Sequence, residues 1–375
     1  MGSHGPASFE QHFQDLPDPR VERTRKHPLI NIVFMAVCGV LSGSNSIAGI
    51  HEFAIDRRSW FVRYLDLTNG IPSEDTFGRV LARIDPAAFE KCLLSWIQTV
   101  QELTEDHLVA IDGKTLRGSG DHERGRAAIH MVSAWAAENK LSLGQVVVSE
   151  KSNEITAIPE LLQLLDISGA LVTIDAMGCQ REIAERIRDG GGDYALAVKQ
   201  NQPKLYEQVE GAISEALDGD TEDFDEYQTI ENGHGRQETR TYAIVAASES
   251  VDPDDLWRDL SAVGIAISER VDSQGRQSIE SRYYILSRLM TAPEFAGAVR
   301  GHWGIENNLH WQLDVSFRED ECRVCRDHAP ANLSVIRRFA LGLLKRETSC
   351  KKGIEIKRMK CAGNNEYRET VLFKC

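Results

Sequence analysis

The spacing of apolar residues changes character along the chain, and each change predicts a different kind of structure. Over residues 8–105 apolar positions recur at helical spacing between short polar turns. Leu29–Leu41 (LINIVFMAVCGVL) is apolar almost throughout and predicts a buried helix. A second, short helix is expected over 46–55. Ser73, followed by Glu74 and Asp75, opens a third that runs to about Ile84. Asp85 and Pro86 then supply an N-cap and a first-turn proline for AAFEKCLLSWIQTVQEL. Near residue 107 the period shortens to two. Segments 107–111, 129–137 (IHMVSAWAA) and 141–149 (LSLGQVVVS) predict strands, the last two joined as a hairpin through Glu138, Asn139 and Lys140. Helical and strand patterns then alternate: a helix over 158–165, a strand over 170–174, a helix over 180–189 closed by Gly190–Gly192, a strand over 194–199, and a helix from Pro203 to about Leu217.

That order, three strands followed by alternating helices and strands, predicts an α/β fold. It is a mixed five-stranded sheet with helices on both faces and right-handed parallel crossovers, the strand order of the RNase-H-like fold. Residues at about 224–290 interrupt it as a β-rich insertion. Two hairpins are expected there, turning at Asn232-Gly233-His234-Gly235 and at Asp272–Gly275. Thr291 and Glu294 form a capping-box pattern, with Pro293 in the first turn, opening a helix that contains Glu306. A last apolar helix covers 332–344, and 346–375 reads as a basic, weakly patterned tail.

Composition narrows the class. With 42% hydrophobic and 27% charged residues, the 375-residue chain has the make-up of an ordinary soluble globular protein. Its longest apolar run, Leu29–Leu41, falls short of the roughly 20 residues a membrane span needs. The scattered cysteines fit a reducing compartment, and Cys322-x-x-Cys325 lacks the second close pair of a zinc site. A net charge of −14 argues against nonspecific nucleic-acid binding by the molecule as a whole. The charge is uneven: 322–375 holds 13 Lys/Arg against 5 Asp/Glu, which suits either phosphate contact or a solvated helix face. The Arg20–His27 cluster and the short helices around it fit a DNA-binding or docking module and a plain helical bundle about equally.

The candidate chemistry lies in carboxylates. Asp112 and Asp175 are expected at the ends of the first and fourth strands, which this topology makes neighbours. Gly113 and Gly178 follow closely and allow a sharp turn and close approach of a ligand. Two such carboxylates repel one another unless a cation lies between them, and Mg²⁺ suits a pair of carboxylates completed by substrate phosphate. Glu306 supplies a third, on a helix whose polar stripe also carries His302, His310 and Asp314. Three carboxylates can hold two metal ions about 4 Å apart for in-line displacement at a phosphodiester. Lys114, Arg117, Lys199 and Lys204 flank the strand ends as candidate phosphate contacts. Trp303 and Trp311 are expected first as core residues and second as surfaces for a displaced base.

The segments IDGKTLRGS, VVVSEKSNEITAIPELLQLL, VTIDAMGCQ, GGDYALAVKQNQ and RGHWGIENNLHWQLDVSFRED resemble the H-repeat-associated insertion-sequence transposases of the DDE type. HFQDLPDPR, GIPSEDTFGRV and NLSVIRRFALGLLKRE extend the likeness over nearly the whole chain. The resemblance implies a prokaryotic, cytoplasmic and nucleoid-associated transposase. A helical N-terminal domain over 8–105 would bind DNA or dimerise, and an RNase-H-like catalytic domain would span 106–345. Asp112, Asp175 and Glu306 would be both catalytic residues and ligands of Mg²⁺, with Mn²⁺ as a substitute. The implied partners are double-stranded transposon-end and target DNA, bound by a homodimer, with no membrane and no organic cofactor. Related transposases often carry Tyr, Arg and Lys around the glutamate; here Val299, His302 and Leu313 stand at those spacings, so His302, Trp303 and Asn307 become candidates for gripping the DNA end. Two other readings are a catalytically silent transposase-derived DNA-binding protein and a phosphoesterase of small substrates.

Overall fold

The computed structural model describes residues 6–100, 108–120, 127–138, 140–148, 154–218, 224–233 and 236–374. The expectations placed on 101–105, His107, Asn139, Ser149, His234 and Gly235 lie outside them. The chain opens with helices α1 (Pro6–Phe13), α2 (Leu29–Leu41), α3 (Ile47–Asp56), α4 (Arg58–Phe61), α5 (Glu74–Leu81) and α6 (Pro86–Val100). Local chemistry sets their starts. Ser46 Oγ accepts from Gly49 N at 3.1 Å to cap α3, and Asp85 Oδ1 accepts from Ala88 N at 2.8 Å ahead of α6. The apolar surface of α2 is satisfied by burial: everything from Asn31 to Leu41 is enclosed.

The sheet comprises β1 (Leu108–Leu116), β2 (Ile129–Ala136), β3 (Leu141–Val148), β4 (Leu171–Ile174), β5 (Asp193–Val198), β6 (Asp225–Gly233), β7 (Arg236–Ala246), β8 (Ala262–Asp272) and β9 (Gln277–Leu286). Their spatial order is β3-β2-β1-β4-β5-β9-β8-β7-β6. The first five have the expected RNase-H-like arrangement, with β1, β4 and β5 parallel and β2 and β3 antiparallel beside them. The four strands of the insertion continue the same sheet, because β9 pairs antiparallel with β5. Helices α7 (Glu154–Gln163), α8 (Arg181–Asp189) and α9 (Pro203–Asp218) cover one face through Ile158, Leu161, Ile183, Ile187, Val209 and Ile213. Helix α10 (Ala292–Ile305) covers part of the other through Phe295, Ala296 and Val299.

Beyond α10 come a π-helical turn (Glu306–His310), α11 (Trp311–Val315), α12 (Ala329–Arg346), α13 (Ile354–Gly363) and α14 (Asn365–Phe373). The last three share one hydrophobic core with the N-terminal helices and with Ala110, Trp135 and Leu141 of the sheet. The region expected as a weakly patterned basic tail is therefore largely two packed helices. Three of its cations face inward. Arg358 donates to the Val40 carbonyl at 2.8 Å, to Asn45 Oδ1 at 3.0 Å and to the Ser316 carbonyl, and lies 4.1 Å from the Phe317 ring centroid. Arg368 donates to the Cys361 carbonyl at 2.7 Å and lies 4.1 Å over Trp60. Lys357 donates to the Leu344 carbonyl at 2.8 Å. These side chains donate to carbonyls at helix ends, so neither phosphate contact nor a solvated face describes them. No helix among the described residues is long and apolar enough to cross a membrane.

Candidate active site

Asp112 does not end its strand. Strand β1 continues to Leu116 because its antiparallel hydrogen bonding with β2 carries on, pairing Asp112 with Ser133. What ends is the parallel pairing with β4, whose last partners are Ile111 and Ile174. Asp112 and Asp175 thus follow the final rung of one parallel ladder, side by side at its carboxyl end. Asp175 Oδ1 accepts from Met177 N at 3.1 Å and from Gly178 N at 3.4 Å, which fixes the turn after β4. Asp112 Oδ1 accepts from Gly113 N at 2.8 Å, and its Oδ2 faces His310 Nδ1 at 3.5 Å. Neither Gly113 nor Gly178 adopts a left-handed backbone, so both are needed for space rather than for an unusual turn.

The electrostatics gather the carboxylates. Burial, reinforced by the charges of Asp175, Glu306 and Glu154 and opposed by the Gly113 hydrogen bond, pushes the Asp112 carboxyl up to about 7. Glu306, exposed, is the first residue of the π-helical turn. Among the described residues, no group of three or more His, Cys, Asp or Glu side chains stands close enough to hold a metal ion. The donor set nevertheless suits one: hard oxygen donors whose charges raise one another's cost are what a divalent cation relieves.

The helical stripe serves the site from behind. His302 Nδ1 lies 3.2 Å from Thr173 Oγ1 on β4, His310 faces Asp112 on β1, and Asp314 Oδ1 accepts from Lys114 Nζ at 2.5 Å, also on β1. The polar stripe therefore fastens α10, the π turn and α11 across the two aspartate-bearing strands. Burial, with the positive charges of Arg338 and Lys114, lowers His310 to about 3, so its imidazole is neutral. Its Nε2 is buried with no hydrogen-bond partner among the described residues. Burial likewise lowers His302.

Two of the expected DNA contacts are corrected. Lys114 is 8% exposed and its ammonium is taken by Asp314 and, at 3.1 Å, by Glu319. Against the cost of its own burial, Arg338, Lys114 and Arg337 hold Glu319 down at about 2. The pair forms because Lys114, like Asp112, points to the sheet face beneath α11, away from solvent. His302 is turned onto Thr173 for the same reason, its helix face being the one that meets the sheet. Arg117, Lys199 and Lys204 are exposed, with Arg117 3.6 Å from Asp320. Trp303 is half-buried and Trp311 53% exposed, so neither is the core residue expected.

Trp303 and Asn307 line a cleft of about 280 Å³ between the insertion strands and α10. Arg240, Arg270, Arg282 and Arg300 surround it, and the Arg282 guanidinium lies 4.0 Å over the Trp303 ring. The arginines are balanced by Glu231, Glu238 and Glu280 at 2.6–3.0 Å. These arginines, like Glu154 beside Asp112, escaped the sequence reading. The alternation along the insertion strands carried the signal, since Ala266 pairs with Arg282 and Ser268 with Arg240 on alternate rungs of one face.

Comparison with known proteins gives a consistent result. The family described as "Transposase DDE domain" matches residues 104–343, and the family described as "DDE_Tnp_1-associated" matches residues 10–97. The chain is 44% identical to "Putative transposase YncI" of Escherichia coli O157:H7, covering 98% of this chain and 95% of that protein. It is 38% identical to "H repeat-associated putative transposase YhhI" of Escherichia coli strain K12, covering 96% and 97% of the two. Among solved structures, a piggyBac transposase synaptic complex with hairpin DNA aligns over 99% of this chain and 78% of that one, with a TM-score of 0.41 and 11% identity.

Proposed function

The chain belongs to the DDE transposase-domain family, and from that membership we propose that it is a DNA transposase that cleaves phosphodiesters at transposon ends and joins the freed 3′ hydroxyl to target DNA. The observation that carries this reading is that Asp112, half-buried, and Asp175 follow the last rung of one parallel ladder, where the charges of Asp175 and Glu306 bear on Asp112. Asp112, Asp175 and Glu306 would hold Mg²⁺, or Mn²⁺ in its place. When bound, such ions ease deprotonation of the attacking water or hydroxyl and offset charge on the leaving 3′ oxygen.

The protein's own part is positional. Asp112 and Asp175 follow the last rung of the β1–β4 ladder, and the charge of Glu306, at the end of α10, bears on Asp112. Neutral His310 stands 3.5 Å from Asp112 Oδ2 on the α10–α11 side of the sheet. The cleft lined by Trp303, Asn307 and Arg282 adjoins Glu306 and offers stacking and charge to a DNA strand. Arg117, Lys199 and Lys204 lie open to phosphates around the strand ends. The helical layer over 8–105 is assigned to DNA binding or dimerisation, and a homodimer on paired ends is the working unit, acting in the bacterial cytoplasm at the nucleoid.

Nicking of supercoiled plasmid and cleavage of end-bearing DNA in Mg²⁺ or Mn²⁺ test this. The parent should cut and join, and Asp112→Ala, Asp175→Ala and Glu306→Ala should each fall to background. Equal activity in Asp112→Ala would remove the assignment, and a parent inactive on its own end DNA would leave a silent DNA-binding protein as the better reading.

A further inference from the structure

Strand β1 presents Ala110, Asp112 and Lys114 to one sheet face and Ile111, Gly113 and Thr115 to the other, as strand alternation requires. The packing agrees: Ala110 joins the core under α12, and Ile111 the core under α7 and α8. On the second face, directly behind the catalytic strand, sits a hydrogen-bonded trio. Thr115 pairs in register with His130 of β2, and its Oγ1 lies 2.8 Å from His130 Nδ1. His130 Nε2 in turn bonds Glu154 Oε1, on the first residue of α7. The geometry lets Nε2–H of the imidazole donate to the Glu154 carboxylate while Nδ1 meets the Thr115 hydroxyl, so His130 holds the carboxylate in place.

The trio lies over Gly113. A Cβ at that position would overlap the Glu154 carboxylate and stand 2.8 Å from His130 Nε2. The missing side chain is therefore a slot through which a carboxylate reaches the backbone next to Asp112. The carboxylate is close enough for its charge to bear on Asp112, alongside those of Asp175 and Glu306. Nothing in this face's core packing calls for an acid there; α7 is anchored by Ala157, Ile158, Leu161 and Leu162.

We propose that Glu154 is a positioning residue of the carboxylate site: held by His130 in the slot over Gly113, it adds a fourth negative charge behind Asp112 and raises the affinity of the Asp112, Asp175 and Glu306 set for a divalent cation without itself coordinating it. This rests on the transposase reading above. It also explains why the residue after the aspartate is glycine.

Mn²⁺ binding to the full-length protein without DNA, followed by the electron paramagnetic resonance signal of free Mn²⁺, reads the effect directly. Glu154→Gln, which keeps shape and removes charge, should weaken Mn²⁺ binding by roughly fivefold. Glu154→Asp should restore part of that loss, and His130→Asn, which frees the carboxylate from its slot, should weaken binding in the same direction. A cooperative thermal melt in each of the three variants separates the charge effect from misfolding. Parent-like Mn²⁺ affinity in both Glu154→Gln and His130→Asn would overturn the proposal while leaving the carboxylate triad intact. A parent that binds no Mn²⁺, or an Asp112→Asn variant that binds it as tightly, would instead overturn the metal-site reading and this inference with it.

Discussion

A carboxyl group raised from 3.8 to about 7 places its own tax on folding, and at Asp112 the sign of that effect is definite. Below pH 3.8 the group is protonated in folded and unfolded chains alike and costs nothing. As pH climbs, the unfolded chain ionises first, so the fold loses stability until the folded group also ionises near 7. In chelator, Asp112→Asn should therefore melt higher than the parent at pH 8, by at most about 4 kcal/mol, and together with it at pH 3.5. Coincident melts at pH 8 would mean that neither burial nor the neighbouring carboxylates raise the Asp112 carboxyl. Lys114 gives the opposite case. Its ammonium is shared by Asp314 and the buried Glu319, so Lys114→Ala should cost about 3–5 kcal/mol in urea denaturation. A loss under about 1 kcal/mol would show an exposed, weakly paired lysine instead. The sequence displayed Lys114 plainly as a cation beside the candidate site. It concealed the partners, which lie 200 and 205 positions away.

Among elements, the decisive one is the segment that carries Glu306. Helical spacing foretold the stripe of His302, Glu306, His310 and Asp314, and three of the four do meet β1 or β4. The π-helical turn over Glu306–His310 was not legible, because a wide turn comes from packing against the sheet rather than from any local propensity. Its effect is to leave Glu306 exposed while His310 stays against Asp112. Gly301 sets how closely α10 approaches β1, since a Cβ there would run into the Leu108 side chain. Gly301→Ala should lift this end of α10, costing about 1–3 kcal/mol and lowering DNA cleavage by more than the lost stability explains. Unchanged cleavage with a lowered melting temperature would show that Glu306 does not depend on the height of α10. The insertion strands were readable one by one from alternation and turn residues. Their joining to β5 through β9 was not, since edge pairing depends on which strand is left open after the core assembles.

For the molecule as a whole, the organising fact is that α12, α13 and α14 close the core begun by α1 to α6. Reading the last segment as a tail failed for an identifiable reason. Its Lys and Arg residues broke the apolar periodicity, and Lys357, Arg358 and Arg368 break it while buried, as caps for carbonyls of other helices. Arg358→Ala should cost about 2–4 kcal/mol, because it uncaps the end of α2 as well as the Ser316 carbonyl. Ending the chain after Arg346 should expose α2 and α4 to protease within the folded protein, since Val371, Leu372 and Phe373 leave their core. An equally protease-resistant truncated protein would show that the N-terminal layer stands alone.

The order in which the chain is made then departs from the order in which it can become whole. Helix α2 leaves the ribosome well before the Arg358 that caps it and the Phe373 that packs on Phe34. A copy of the gene cut short by a frameshift or stop codon before α13 would make the N-terminal helices without their closing partners. Such a fragment would be cut by proteases at its uncovered N-terminal helices instead of persisting beside the intact protein.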